Sequence, residues 1–399
     1  MILLPSLLLL PAIWIVDAQM GPGAHFADLP AAIAAAANGD TILVRAGTYS
    51  GFTVAGKVLT IRGEGSATTR VLAAAAGKAA DILGSGGALV LSGLRLEGGA
   101  PTMSVQGAFV ELLDCDLLGV SSAAAGGPAL STNNANVLAA RCTFAGGSAS
   151  GGVIAIAGDG VSVGGSSTFV ADQCVFLGGD LPPVAGSFQQ AGVGLRNGGQ
   201  VRLDGCRARG GNGQGIAGAG VTVTFFASVR IAGDATSYVA AGLASGQVDV
   251  ALRNAFGSIV RHDPVAVVGG VSGTVVTSQP LPRLRLAGAV RADGTLDALQ
   301  PVQVTLDGLV PNGFGFLAFG DPVFTAAAPP FATELLVGGA GSAFFAGPLD
   351  ALGRLQFAYT PALIGGPLVG APVHLQGGTW SPVLGSVLTS NLAVHIALP

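Results

Sequence analysis

Five copies of a ten-residue phrase between Leu89 and Gly211 constrain this chain more than any other feature in it. Aligned on one anchor position, the copies centre on Leu94, Cys115, Cys142, Cys174 and Cys206. Five residues before each anchor stand Leu89, Val110, Val137, Phe169 and Val201, and three before stand Leu91, Leu112, Ala139, Ala171 and Leu203. Two after come Leu96, Leu117, Phe144, Phe176 and Ala208. Four after, each copy has a glycine: Gly98, Gly119, Gly146, Gly178 and Gly210. A unit that recurs at intervals of tens of residues builds a solenoid, each repeat burying its apolar face against its neighbours.

Positions −5 and −3 alternate as one half-buried strand does, and so do 0 and +2. The step of three between −3 and 0 breaks that period. A bend at −2 and −1 restores it by letting both strands point inward around a corner. Ser92-Gly93 and Asp204-Gly205 are suitable bend residues, and the +4 glycine turns the chain again. Strand, corner, strand, turn is the cross-section of a parallel β-helix. The anchors lie 21, 27, 32 and 32 residues apart. Later turns therefore carry longer excursions on one side, at 121–136, 148–166 and 180–199.

The same register explains the four cysteines. Strands stacked ~4.8 Å apart place equivalent residues directly beneath one another. That spacing permits a disulfide, but buried thiols also pack as small hydrophobes. The inward column favours an unbridged packing ladder.

Composition narrows the partners. A net charge of −4, only two lysines (Lys57 and Lys78) and no basic run leave no electrostatic footprint for nucleic acid. Apolar stretches beyond the N-terminus, such as Leu117 to Ala140, are broken by Gly, Pro, Ser and Asn, so no transmembrane domain is expected in the mature chain. Ile2 to Val16 is apolar and ends in Val16-Asp17-Ala18, which reads as a secretory signal over 1–18, cleaved after Ala18. Its n-region lacks Lys and Arg, Arg45 being the first basic residue, which leaves an uncleaved anchor as the alternative, though the ~15-residue apolar length is short for a span. The expected location is secreted: extracellular, at the cell surface or in the periplasm.

Upstream of the phrases, Asp28 and Pro30 open a short alanine-rich helix that Asn38-Gly39 closes, suited to cover the end of a solenoid core. Thr41–Val44 and Lys57–Gly63 read as the first coils, joined by a tight Gly-Thr-Tyr-Ser-Gly turn. The run 26–65, "FADLPAAIAAAANGDTILVRAGTYSGFTVAGKVLTIRGEG", and above all "GDTILVRAGTY", resembles the opening of right-handed parallel β-helix proteins of the pectate-lyase-like superfamily. The resemblance extends over roughly residues 24–275. It implies a fold, and a superfamily of polysaccharide lyases, glycoside hydrolases, epimerases and secreted repeat proteins without demonstrated activity. Ser278–Pro282 reads as a linker. Val302–Leu306, Gly313–Phe319, Leu355–Tyr359 and Leu392–Leu398 then suggest a small antiparallel β-sandwich. "GLVPNGFGFLAFG" and "LTSNLAVHIAL" are similar to a C-terminal module of secreted bacterial repeat proteins. The expected layout is a signal peptide over 1–18, a β-helix over 19–277 and a sandwich module over 278–399, an all-β chain with one capping helix.

Chemistry is sparse. The Asn-Thr-Asp, Asp-Asp, Gly-His-Gly and Arg-Ile-Lys motifs that polygalacturonase-like sites carry are absent. A lyase-like site implies clustered carboxylates for calcium and a basic residue. Asp172 and Asp204 share position −2 in adjacent copies, with Arg202 two residues away, and are the candidate catalytic set. The competing reading makes both aspartates solvated bend residues. Arg95, Glu97, Asp116, Arg207 and Arg209 at +1 and +3 mix signs as an ordinary wet face does. His25, His262, His374 and His395 have no metal-ligand spacing. His262-Asp263-Pro264 reads as a turn, His374 and His395 as ordinary strand residues, and Asn133-Asn134 as a turn. Gly160-Val161-Ser162-Val163-Gly164 lacks the strand-then-helix flanks of a nucleophile elbow. The leading expectation is an exported, non-catalytic β-helix with a structural or binding role, its partner a polysaccharide or cell-envelope component, with no cofactor. The alternative is a polysaccharide lyase or glycoside hydrolase, for which calcium would be the cofactor in the lyase case.

Overall fold

Each copy of the phrase contributes two strands to a coil that has three. The strand before the anchor, such as Phe109–Leu113, joins sheet A, and the strand after it, such as Asp116–Leu118, joins sheet B. A third strand, such as Leu130–Asn133, joins sheet C and leads into the next copy. Equivalent positions stack in register: Val110 pairs with Leu89 and Val137, and Leu117 with Leu96 and Phe144. The computed structural model describes residues 11–398 apart from 75–76, 85–86, 124, 151–153, 182–187, 214–216, 225–226, 233–237, 243–249, 255–258, 263–269, 274–275, 278–280, 292–294, 309, 323–335, 362–371 and 382–385. Among the described residues sheets A, B and C hold 11, 8 and 9 parallel strands, a parallel β-helix.

The inward columns at −5, −3, 0 and +2 form one continuous core. Phe144 and Phe176 stack with centroids 5.3 Å apart, and Phe169 meets both edge-on. Each such ring contributes about 1.5–3 kcal/mol by leaving water. Cys115, Cys142, Cys174 and Cys206 are buried and unbridged, as the ladder requires. The Cys115 and Cys142 amides donate to the sulfur one coil on, at 3.4 Å each. Burial pushes the Cys115 and Cys174 thiols up, away from the reactive thiolate.

The corner needs one residue, not two. Position −2 is the last residue of the sheet A strand, and −1 alone turns the chain in the left-handed region. There φ is 60° at Gly93, 53° at Asp114, 54° at Arg141, 54° at Gln173 and 64° at Gly205. Two further expectations change. Gly47–Ser50 is a sheet B strand rather than a tight turn, and Phe52–Ala55 opens sheet C. The segments read as excursions contain the sheet C strands Leu130–Asn133, Val161–Gly164 and Leu195–Asn197. Only the remainder projects outward.

That remainder leaves the coil through a neck of glycines. A zigzag of backbone hydrogen bonds runs from Gly127 N to Val120 O, then through Gly147, Gly158, Gly179, Gly192, Gly211, Gly218 and Gly242, each 2.8–3.0 Å long. A Cβ on any glycine from Gly147 onward would overlap the backbone carbonyl opposite. The +4 glycines Gly119, Gly146, Gly178 and Gly210 serve the same close approach rather than a turn. Beyond the neck lies a second small core of Ala149, Ala155, Ala157, Leu181 and Ala191. The parallel strands Ile154–Ile156 and Phe188–Gln190 flank it.

At the N-terminal end, the helix Leu29–Ala35 is capped by Asp28, whose side chain accepts from Leu29 N, and it buries Leu29, Ala32 and Ile33. The segment expected to be a leader up to Ala18 behaves differently. Ile13–Val16 is the edge strand of sheet A, paired with Thr41–Val44, and Val16 is fully buried. Asp40 accepts from Ala12 N and Trp14 Nε1, and Asp17 pairs with Arg45 at 2.8 Å. Cleavage after Ala18 would strip this first rung and bare the core beneath it.

Two sheets make up the C-terminal module. Arg283–Ala287, Val302–Asp307 and Arg354–Tyr359 form a three-stranded antiparallel sheet. Phe314–Pro322, Val337–Pro348, Pro372–Ser381 and Ser386–Leu398 pair antiparallel, with Leu296–Asp297 at the edge. Leu306, Leu317, Leu375 and their neighbours fill the space between the sheets, so the module is a β-sandwich. Of the segment read as a linker, 278–280 lies outside the described residues, while Leu281 packs on Ala232 and Leu388.

Candidate functional site: the covered face of sheet A

The outward columns of sheet A, −4 and −2, carry Val90, Leu113, Leu138, Ala140 and Val170. All five are buried against Ala318, Leu336, Val337, Leu392, Val394 and Ile396 of the module. The five-stranded sheet thus has two apolar faces, one toward its own sandwich and one toward the β-helix. Val373, Leu375 and Ala393 alternate with His374, Leu392 and Val394 to serve them.

Polar ties cross this apolar contact. Glu111, at −4, meets His374 Nε2 at 2.8 Å, both buried. Arg141 grips Asp114 through two bonds of 2.7 and 2.8 Å and donates a third to Val394 O at 2.9 Å. Arg202 pairs with Asp204 at 2.7 Å and donates to Ser390 O. The Glu111–His374 and Arg202–Asp204 ties satisfy polar groups that the apolar contact would otherwise strand.

This placement corrects the sequence reading of the candidate set. Asp172, Asp204 and Arg202 are 4%, 2% and 4% exposed, not solvated bend residues. The register does bring them together, Asp172 beside Asp204 and Val170 beside Arg202. Yet the module roofs Arg202 and Asp204, and Asp172 lies at its edge. His374 and His395 are also more than ordinary strand residues. His395 Nε2 lies 2.7 Å from the Tyr359 hydroxyl. Burial, with Arg141 and His374 nearby, pulls its imidazole down to about 4, and burial pushes the Tyr359 phenol up. An imidazole so weakly basic, with Nε2 taken by the Tyr359 hydroxyl, is a poor general base at neutral pH.

At the corner between module and β-helix, a cleft of about 260 Å³ remains open. Asp114, Arg141, Asp172 and Gln173 line one side, Leu284, Leu286 and Val290 the other, with His395 among the floor residues. Gln173 Nε2 donates to Asp172 Oδ2 at 3.2 Å.

The other candidates stay apart. Arg70 and Arg95 both pair with Glu97 on the outer face of sheet B, where Arg207 and Arg209 are exposed, as a wet face of mixed sign should be. Ser162 lies within the sheet C strand Val161–Gly164, with no helix after it. His262 ends the strand Ile259–His262, and the rest of its expected turn lies outside the described residues. His25 Nδ1 accepts from Ile15 N, and Asn134 turns the chain at φ 49°. No three metal-ligating side chains converge among the described residues. No described helix is long and apolar enough to cross a membrane. Sequence reasoning missed column −4. Its signal was available, because Val90, Leu138 and Val170 make those strands apolar on both faces, as in sheets covered on both sides.

No protein-family model and no curated protein matches the chain. Solved structures similar to it include a pectin methylesterase in complex with a hexasaccharide, at 12% identity and TM-score 0.37, covering 71% of this chain and 83% of that one. Pectin methylesterase PemA from Erwinia chrysanthemi is similar at 13% identity and TM-score 0.38, with the same coverage. The enzymatically active domain of tailspike protein 4 from bacteriophage CBA120 is similar at 11% identity and TM-score 0.35, covering 90% of this chain and 64% of that one.

Proposed function

We propose that this chain is an exported, non-catalytic β-helix with a binding or structural role at the cell envelope or outside the cell, its partner class a polysaccharide. One observation carries the non-catalytic reading. Arg202 and Asp204, two of the three residues best suited to lyase or hydrolase chemistry, lie under the module, Arg202 committed to Asp204 and to Ser390 O, which leaves Asp172 without that base. A polymer cannot reach Arg202 or Asp204 without displacing a sheet, whereas Asp172 lies on the cleft wall. The apolar run Ile2 to Leu10, ahead of the strand Ile13–Val16, supports export, and the mixed polar and apolar lining of the corner cleft supports a saccharide ligand.

Incubating the full chain with polygalacturonate and calcium tests this. The expected outcome is no unsaturated product and no new reducing ends. Calcium-dependent release that Asp172→Asn abolishes would establish the enzyme instead.

A further inference from the structure

The corner cleft has two unlike walls. Arg141 and Asp114 form a closed bidentate pair on one side, next to the Gln173 amide at its left-handed corner. Leu284, Leu286 and Val290 present hydrocarbon on the other. A ligand spanning the gap needs an apolar face and a rim of hydrogen-bonding groups. A pyranose ring has both, its C–H face apolar and its hydroxyls equatorial to it. The volume, about 260 Å³, falls below the ~300–1,000 Å³ of pockets for drug-sized ligands, which suits one ring of a longer chain.

The charges decide which ring. Arg141 is already matched by Asp114, and Asp172 is hydrogen-bonded by Gln173. Arg283 Nη2 abuts the corner at Gly205, and Arg202 is paired with Asp204, so neither stands on the cleft lining. An anionic sugar would bring a charge into a site whose guanidinium is committed, and burying a charge without its own partner is costly. Hydroxyls only add to lone pairs and N–H groups that retain hydrogen-bonding capacity. We propose that the cleft between the β-helix and the module is a subsite for one neutral sugar residue of a polysaccharide, seated on Leu284, Leu286 and Val290. This rests on the polysaccharide-binding reading above and names its site and ligand class.

Calorimetric titration of the full chain with cellohexaose, maltohexaose and mannohexaose, beside an oligogalacturonate of equal length, tests it. At least one neutral oligomer should bind, with the oligogalacturonate at least about tenfold weaker. Gly288→Trp fills the cleft from an exposed lining position whose Cβ would face Leu296, also on the lining. Gln173→Asn shortens the amide while keeping a residue that tolerates positive φ. Each should weaken the neutral oligomer at least about tenfold without moving the thermal midpoint. Binding that survives both variants would overturn the cleft and leave polysaccharide binding standing elsewhere. Tighter binding of the oligogalacturonate would overturn the neutral class. If no saccharide binds, the subsite and the polysaccharide reading both fall.

Discussion

At the scale of single residues, one geometry recurs with different occupants. The −1 corner demands a left-handed backbone, costing roughly 1–2 kcal/mol for a residue with a Cβ. Glycine meets it at Gly93 and Gly205, while Asp114, Arg141 and Gln173 accept the strain. Those three also stand on one wall of the cleft, two of them in the Arg141–Asp114 pair. Buried histidine is the other residue-scale device. His395 titrates at about 4 when folded, because burial disfavours its charged form, against an ordinary value near 6.5. The unfolded chain therefore binds the extra proton first. Stability is complete above about pH 6.5 and falls as pH drops toward 4, by up to about 3 kcal/mol from this group. Urea melts across that window should show the decline, and His395→Phe should remove about one proton from the slope while lowering stability at neutral pH. A slope unchanged in the variant would show that other groups set it.

At the scale of elements, the glycine neck separates what repeats from what varies. Strands in sheets A, B and C keep their register because a one-residue slip would turn every core side chain outward. The loops between B and C lengthen freely beyond the neck, where Ser148 N bonds Ser121 Oγ, Asp180 N bonds Ser148 Oγ and Asn212 N bonds Asp180 Oδ1. Gly179→Ala forces a methyl into the Gly147 carbonyl, and overpacking of this kind costs about 2–3 kcal/mol. Gly77→Ala is the control: its new methyl meets nothing closer than 3.6 Å, and its effect should stay within about 0.5 kcal/mol. Chemical unfolding of both variants compares them directly, and equal losses would remove the neck from the account. The recurrence of the +4 glycines beside the neck was plain in the sequence. Their reason was not, because a close approach between two legs of a loop and their neighbours in the next coil involves residues far apart in the chain.

At the scale of the whole molecule, the module makes a three-layer stack: sheet A, the five-stranded sheet and the three-stranded sheet. The contact is apolar, with Glu111–His374 and the Arg141 and Arg202 bonds inside it. A chain ending at Thr277 would expose Val90, Leu113, Leu138, Ala140 and Val170 together. Such a patch should bind a hydrophobic dye and drive self-association that the full chain does not show. A truncated chain that stays monomeric and silent to the dye would contradict the covered face. By itself the sequence determined the solenoid, its inward columns with the cysteines stacked in one of them, the capping helix and four strands of the module. Each of these rests on periodicity or local turn chemistry, which neighbouring residues carry. Only the tertiary structure decided the third sheet, the strand built from Ile13–Val16, and the fate of Asp172, Asp204 and Arg202. A position that faces outward from a coil is wet or buried according to what packs on it, and the covering strand Ser386–Leu398 lies some two hundred residues further along the chain.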